Sequence, residues 1–262
     1  MITLNSLDLY ALIASFMWSF TRIMGLLAVA PLFGNTGIPV RLKVALGLLL
    51  GAIVAPTLGP MPAVDPMSLA GVLVLAQQFI IGVAMGFAVR VVFTAVELAG
   101  ELCGMTMGLG FATFFDPQSR GRSSAISQFL SLLTLMVYLA SNLHLVVLST
   151  LVDSFASMPI TAAPMGGALF EQIVGWGGRV FSAGVQLSLP IVTALLITNI
   201  ALGILTRAAP QLNLFGVGFP ITLSVGFVML ALTVPYLTVP LDLLFAEAFG
   251  VMRKMTATLP KI

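Results

Sequence analysis

Arg90, Glu97 and Glu101 stand at i, i+7 and i+11 inside one long apolar run, a spacing that on a helix brings both carboxylates within about 20° of the arginine. Thr94, Gly104 and Gly108 fall near the same line. Such a stripe could be a structural ion-pair network, or it could line a path for an ion or proton. An ionised group facing lipid costs several kcal/mol, so the stripe must face partners, internal charges or water. Acid–base catalysis would need a nucleophile or histidine close by, and the sequence near Glu97 and Glu101 supplies neither. GxSxG, HExxH and Walker A stretches are absent. One cysteine, Cys103, and one histidine, His144, leave no disulfide pair and too few N or S ligands for a closed zinc site. No catalytic residue, metal or cofactor is expected. His144 reads as a packing or interfacial residue in preference to a proton relay.

The elements that must carry this stripe follow from composition. The 262 residues are 59% apolar and only 8% charged, with a mean hydropathy of +1.13, whereas soluble domains carry about 25% charge. An integral membrane protein or part of a comparably apolar assembly is indicated. Eleven basic and nine acidic residues are too sparse for a nucleic-acid footprint. The opening MITLNSLDLY has no positive n-region and no small-residue cleavage site, so it reads as the start of a first hydrophobic helix.

Six apolar stretches reach the roughly 20 residues needed to cross hydrocarbon: residues 7–32, 40–58, 68–102, 124–151, 168–205 and 214–249. Residues 68–102 as one helix would run about 50 Å, well beyond a core of about 30 Å. Pro190 divides the fifth stretch, and Pro220, Pro235 and Pro240 divide the sixth. Kinked or broken helices packed on other protein are expected. Gly47/Gly51, Gly82/Gly86 and Gly100/Gly104/Gly108 follow the small-xxx-small spacing of close helix approach.

Charge in the connections gives conflicting topologies. Arg41 and Lys43, Arg120 and Arg122, and Arg207 make the first, third and fifth connections basic, so six plain spans put both termini outside. The tail carries Arg253, Lys254 and Lys261, which favour the cytoplasm. Either a proline-broken stretch is re-entrant, or the chain does not obey simple bilayer topology.

Three ordered patches carry a resemblance over essentially the whole chain. Arg22 is followed by PLFGNTGIPVRLK (31–43); GVAMGF (82–87) leads into AGELCGMTMGLGFATFFDP (99–117); and RAAPQLNLFGVGFP closes the series (207–220). Together they resemble the FliR/SctT family of type III export-gate proteins, and PQLN before GxGFP leans toward its flagellar branch.

That resemblance implies an all-α bundle of long, kinked helical hairpins, a FliP-like portion (1–177) continued by a FliQ-like hairpin and basic tail (178–262). It implies a multi-pass protein of the bacterial inner membrane and flagellar basal body. Assembly would be with FliP and FliQ into a channel for unfolded flagellar subunits, with FlhB at the cytoplasmic entrance and membrane lipid around it. Much of such a complex is held above the bilayer plane, which would resolve the topology conflict. It also implies that the loop between the third and fourth stretches is a plug. Its residues suit that role: Gly108 and Gly110 permit unusual turns, Phe111, Phe114 and Phe115 supply bulk to fill a lumen, and Asp116-Pro117 ends the run. Met105 and Met107 could add a flexible seal. Pro31, Gly34 and Pro39, and later Pro210, Asn213, Gly216, Gly218 and Pro220, read as rigid turns.

Two other classes stay open at this point. A secondary transporter would show matching broken helices in two halves, and breaks are found only in the second. An assembly subunit without a gating role would tolerate change in the central loop, and an injectisome counterpart would share the same architecture.

Overall fold

A computed structural model describes residues 6–34, 37–58, 64–111, 124–162, 166–209 and 214–257. Every regular element among them is helical: α1 (Ser6–Val29), α2 (Val40–Val54), α3 (Leu69–Thr106), α4 (Ala125–Ala140), α5 (Leu143–Ser157), α6 (Ala168–Gly177), α7 (Arg179–Ala208), α8 (Phe219–Thr233) and α9 (Thr238–Ala257). An apolar chain in lipid or among apolar neighbours must satisfy its backbone within each segment, and the helix does so.

Prolines stand mostly where they cost little. Pro39 caps the start of α2, and Pro220 lies in the first turn of α8, where the missing N–H has no helical partner to lose. A 3₁₀ turn, Val234–Tyr236, carries Pro235 and separates α8 from α9.

Two expectations are corrected. The third stretch is one unbroken helix of 38 residues, about 57 Å long. Two-thirds of its most apolar window (67%) is covered by protein, against 17–22% for the other three long apolar helices. A helix sheathed by its own chain is not limited by hydrocarbon thickness. Pro190 does not divide the fifth stretch either: α7 runs through it. Pro190 sits on the exposed face of α7, and transmembrane-type helices tolerate proline where nearby groups recover the freed carbonyl. A single residue outside regular helix, Gly178, separates α6 from α7, and the two together make one apolar helical run, Ala168–Ala208, of 41 residues.

By length and composition four helices among the described residues can cross a membrane, or five if the bent pair α4 and α5 is one span. The described apolar part of α1, Ile13–Val29, falls short.

The chain divides into two compact units, residues 1–91, 142–177 and 246–262, and residues 92–141 and 178–245. In the first, α1 is the hub. Gly47 and Gly51 of α2 lie against it: a Cβ at Gly47 would come within 2.7 Å of Met24 Sδ, and one at Gly51 within 3.2 Å of the Phe16 ring. On α3, a Cβ at Gly82 would collide with the Arg22 carbonyl, and one at Gly86 would lie 2.9 Å from the Leu26 carbonyl. Ala84, Leu169 and Met255 form a small core from α3, α6 and α9, and the Trp176 indole N–H donates to the Ala88 carbonyl at 2.9 Å.

In the second unit, a Cβ at Gly100 would collide with Ser127 at the start of α4, and one at Gly184 of α7 would lie 3.0 Å from the Ala95 carbonyl. Phe93, Tyr138 and Phe245 make an aromatic cluster with centroids 5.5–5.9 Å apart. Gly47/Gly51, Gly82/Gly86 and Gly100/Gly104 therefore serve contacts within the chain.

Candidate functional site

The central loop begins at the C-terminus of α3, within the second unit. The Thr106 hydroxyl donates back to the carbonyls of Leu102 and Cys103, both at 2.9 Å, closing the last turn. Met107 N donates to Cys103 O at 2.9 Å, and Gly108 N to Met105 O at 3.1 Å. Gly108 then adopts φ 88°, in the left-handed region where a side chain is strained and glycine ends helices. A 3₁₀ turn, Leu109–Phe111, follows. A Cβ at Gly110 would meet nothing within 4 Å. Phe114, Phe115, Asp116 and Pro117 lie outside the described residues.

The two methionines of this stretch have opposite surroundings. Met105 is 67% exposed, and Met107 is fully buried. Met107 fills a notch on α8: a Cβ at Gly226 would come within 2.6–2.8 Å of its Cγ, Cε and Sδ. Its carbonyl accepts from the Thr222 hydroxyl at 3.3 Å.

Where the described chain resumes, it is tied to α3 again. Glu101 Oε1 accepts from Ser124 N at 2.7 Å, and the Ser127 hydroxyl donates to the Glu97 carbonyl at 2.9 Å. Ser124 is the N-cap of α4, its Oγ accepting from Ser127 N. Gly104 makes room for it, since a Cβ there would lie 3.0 Å from Ser124 Oγ. The Glu101 carboxylate thus sits at the positive end of α4, where a negative charge is favourable. Arg90 is exposed, while Glu97 and Glu101 are half-buried. Of the stripe, Glu101 has an evident task, which is holding the start of the next helix.

The other turn residues are where the chain changes direction. Pro31 and Gly34 occupy the turn after α1, with Gly34 N donating to Ala30 O at 2.6 Å. Gly216 and Gly218 belong to the π-type turn Leu214–Gly218 that leads into α8. Pro210 and Asn213 lie outside the described residues.

Sequence reasoning passed over Arg22 as a site. It is completely buried in the first unit. Its Nε donates to Gln78 Oε1 at 2.8 Å, Nη1 to the Ser154 carbonyl and hydroxyl at 2.9 and 3.1 Å, and Nη2 to the Met158 carbonyl at 2.9 Å. The guanidinium carbon also lies 4.2 Å from the Phe155 ring centroid. Arg22 thereby caps the C-terminus of α5 with a cation and ties α1, α3 and α5 together. A lone arginine inside MWSFTRIMGLL was the available signal, because a charge in such a run must find internal partners. Half-buried His144 lies in the first turn of α5. Among the described residues no group of three or more His, Cys, Asp or Glu is placed to hold a metal.

Fold and polar groups together define an all-α protein of the integral-membrane type, whose described polar side chains cap helix ends and fix helix crossings. The comparisons give the family. Residues 13–248 match the family described as "Bacterial export proteins, family 1". The chain is 42% identical over 252 residues to "Flagellar biosynthetic protein FliR" of Pectobacterium carotovorum subsp. carotovorum, covering 96% of each. It is 36% identical to the protein of that name from Escherichia coli (strain K12), covering 94% of each, and 28% identical to that from Bacillus subtilis (strain 168), covering 94% of this chain and 96% of the other. The chain belongs to the bacterial export proteins, family 1, on the FliR side, and is a component of the flagellar export apparatus.

Proposed function

We propose that this chain is a non-enzymatic core subunit of the flagellar protein-export gate in the bacterial inner membrane. It assembles with FliP and FliQ around a channel for unfolded flagellar subunits, contacts FlhB, and uses its central loop as the plug. Residues 1–177 act as the FliP-like portion and 178–262 as the FliQ-like hairpin and tail. The observation that carries the reading is the end of α3: a family match along the chain coincides with a helix that stops at a positive-φ glycine, Gly108, and with ties at Met107 and Ser124 on either side of a segment whose sequence is rich in Gly and Phe. Apolar faces on the long helices favour neighbours or lipid, with Ile53 of α2, Ile200 and Ile204 of α7 and Leu232 of α8 all at least 60% exposed.

Replacing Phe111, Phe114 and Phe115 with alanine tests the plug. Each aromatic buried in a lumen contributes about 1.5–3 kcal/mol to the closed state, so the triple variant is expected to leak small ions through a complex that still assembles. A surface turn predicts no leak, and a structural core predicts loss of the complex. Membrane leakage measured beside complex abundance separates the three, and an abundant, tight complex overturns the plug.

A further inference from the structure

The residues that hold Met107 lie on α8, far along the chain from the loop they restrain. Thr222 and Gly226 are one helical turn apart, so both face the same neighbour. The neighbour is Met107, the last residue before Gly108 turns the chain into the left-handed region. Thr222 holds its carbonyl at 3.3 Å and the bare Cα of Gly226 receives its side chain. Met107 is completely buried, so its side chain has no free space to retreat into. The single Thr222 hydroxyl proton is shared between the Met107 carbonyl at 3.3 Å and the Phe219 carbonyl at 3.0 Å, so the glycine notch carries more of the hold than the hydroxyl does.

We infer that Thr222 and Gly226 are positioning residues for the base of the central loop: through Met107 they fix where α3 ends, so that the placement of Gly108 and Gly110 is read off α8. Any side chain at 226 displaces Met107, and the displacement passes directly to Gly108. α8 therefore sets the loop's starting position, and Glu101 with Ser124 secures its other end on α3. The consequence for leakage rests on the plug reading; the consequence for loop position does not.

The test uses the assembled complex with its FliP and FliQ partners, purified in detergent, and the reactivity of a cysteine at position 110 toward a small maleimide. Gly110 has open space around it, and the natural Cys103 is buried, so G110C reports on the loop above a low background. In that background Gly226→Ala is expected to change the labelling rate several-fold at unchanged complex abundance, and Thr222→Val, which keeps shape but removes the hydroxyl, to change it less. Met107→Ala removes the atoms that clash, so adding G226A to it should alter labelling little further; contact makes the pair non-additive. Unchanged labelling in G226A, or effects of G226A and M107A that simply multiply, would overturn the inference. If G226A fails to accumulate, T222V decides, and parental labelling in that variant overturns it equally. The two readings separate cleanly. A leaking triple-phenylalanine variant with unresponsive G226A labelling removes the α8 anchor and keeps the plug, whereas a tight triple variant with responsive labelling removes the plug and keeps the anchor.

Discussion

The Arg22 junction of the first unit and the loop base of the second both use polar groups to hold helices together, and they are built in opposite ways. Arg22 is sealed from solvent and held from four directions by bonds of 2.8–3.1 Å, with an aromatic ring against its face. The loop base is tied at its far end by a 2.7 Å bond to the Glu101 carboxylate and a 2.9 Å bond to the Glu97 carbonyl, and at its near end by a long 3.3 Å hydroxyl bond. Bonds from a cation are roughly twice as strong as neutral ones, and several converging on one planar group allow it a single geometry. The near end of the loop is held chiefly by the shape of a glycine notch. Complete burial of the Met107 side chain contributes about 1.5–3 kcal/mol, but unlike the converging bonds on Arg22 it sets position by shape alone.

The largest effect is expected from breaking the rigid side. Arg22→Met leaves Gln78, the Ser154 carbonyl and the Met158 carbonyl short of their donor, and each buried acceptor so stranded costs about 1–3 kcal/mol, so the loss should be on the order of 3–9 kcal/mol. The chain should fail to accumulate in membranes, as an immunoblot would show. Arg22→Lys keeps charge but cannot reach Gln78, Ser154 and Met158 together, and should fall between. Parental abundance and assembly of R22M would mean that the junction is not the tie that its geometry describes.

Much of this contrast was legible in the sequence, unevenly. Hydropathy gave the helices, and the glycine spacings marked close crossings, because both depend on side-chain type at fixed helical intervals. The unbroken α3 and the passage of α7 through Pro190 were not legible, since both turn on what covers a helix, and local sequence does not state that. Arg22 was visible as a lone charge, but its partners Gln78, Ser154 and Met158 are distant in sequence and neutral, so charge pairing could not find them. Glu97 and Glu101 were visible as a pair. That Glu101 caps α4 depends on Ser124 returning to α3, a matter of tertiary folding. Gly226 carried no signal of its own among 25 glycines.

A middle-sized effect should follow from loosening the loop's far end. Glu101→Leu removes the acceptor of Ser124 N, a hydrogen bond to a charged group worth about 1.5–3 kcal/mol. Glu101→Gln keeps an oxygen in place and should lose less. Asp65→Leu is the control: its carboxylate accepts from Met67 N at 2.9 Å in an exposed turn before α3, a local bond worth about 0.5–2 kcal/mol by analogy with helix caps. At matched protein levels, export by E101L should fall below export by D65L. Equal export would show that the far end needs no tie, and the contrast between the two regions would rest on Met107 alone.

Arg90→Gln should have the smallest effect, and it decides what the stripe is for. Arg90 is exposed, and an exposed ion pair contributes about 0–1 kcal/mol because water and salt screen it. If the acidic end of the stripe works as helix capping, export by R90Q should stay near the parental level and should not change with ionic strength. A conducting path would behave otherwise, since removing its cation alters the field along the whole line of charges without touching a helix end. Export lost in R90Q at full protein abundance, with E101Q active, would turn the stripe from a support for the loop into a route for ions. Export kept in R90Q and reduced in E101L would tie the acid's importance to Ser124 and the start of α4.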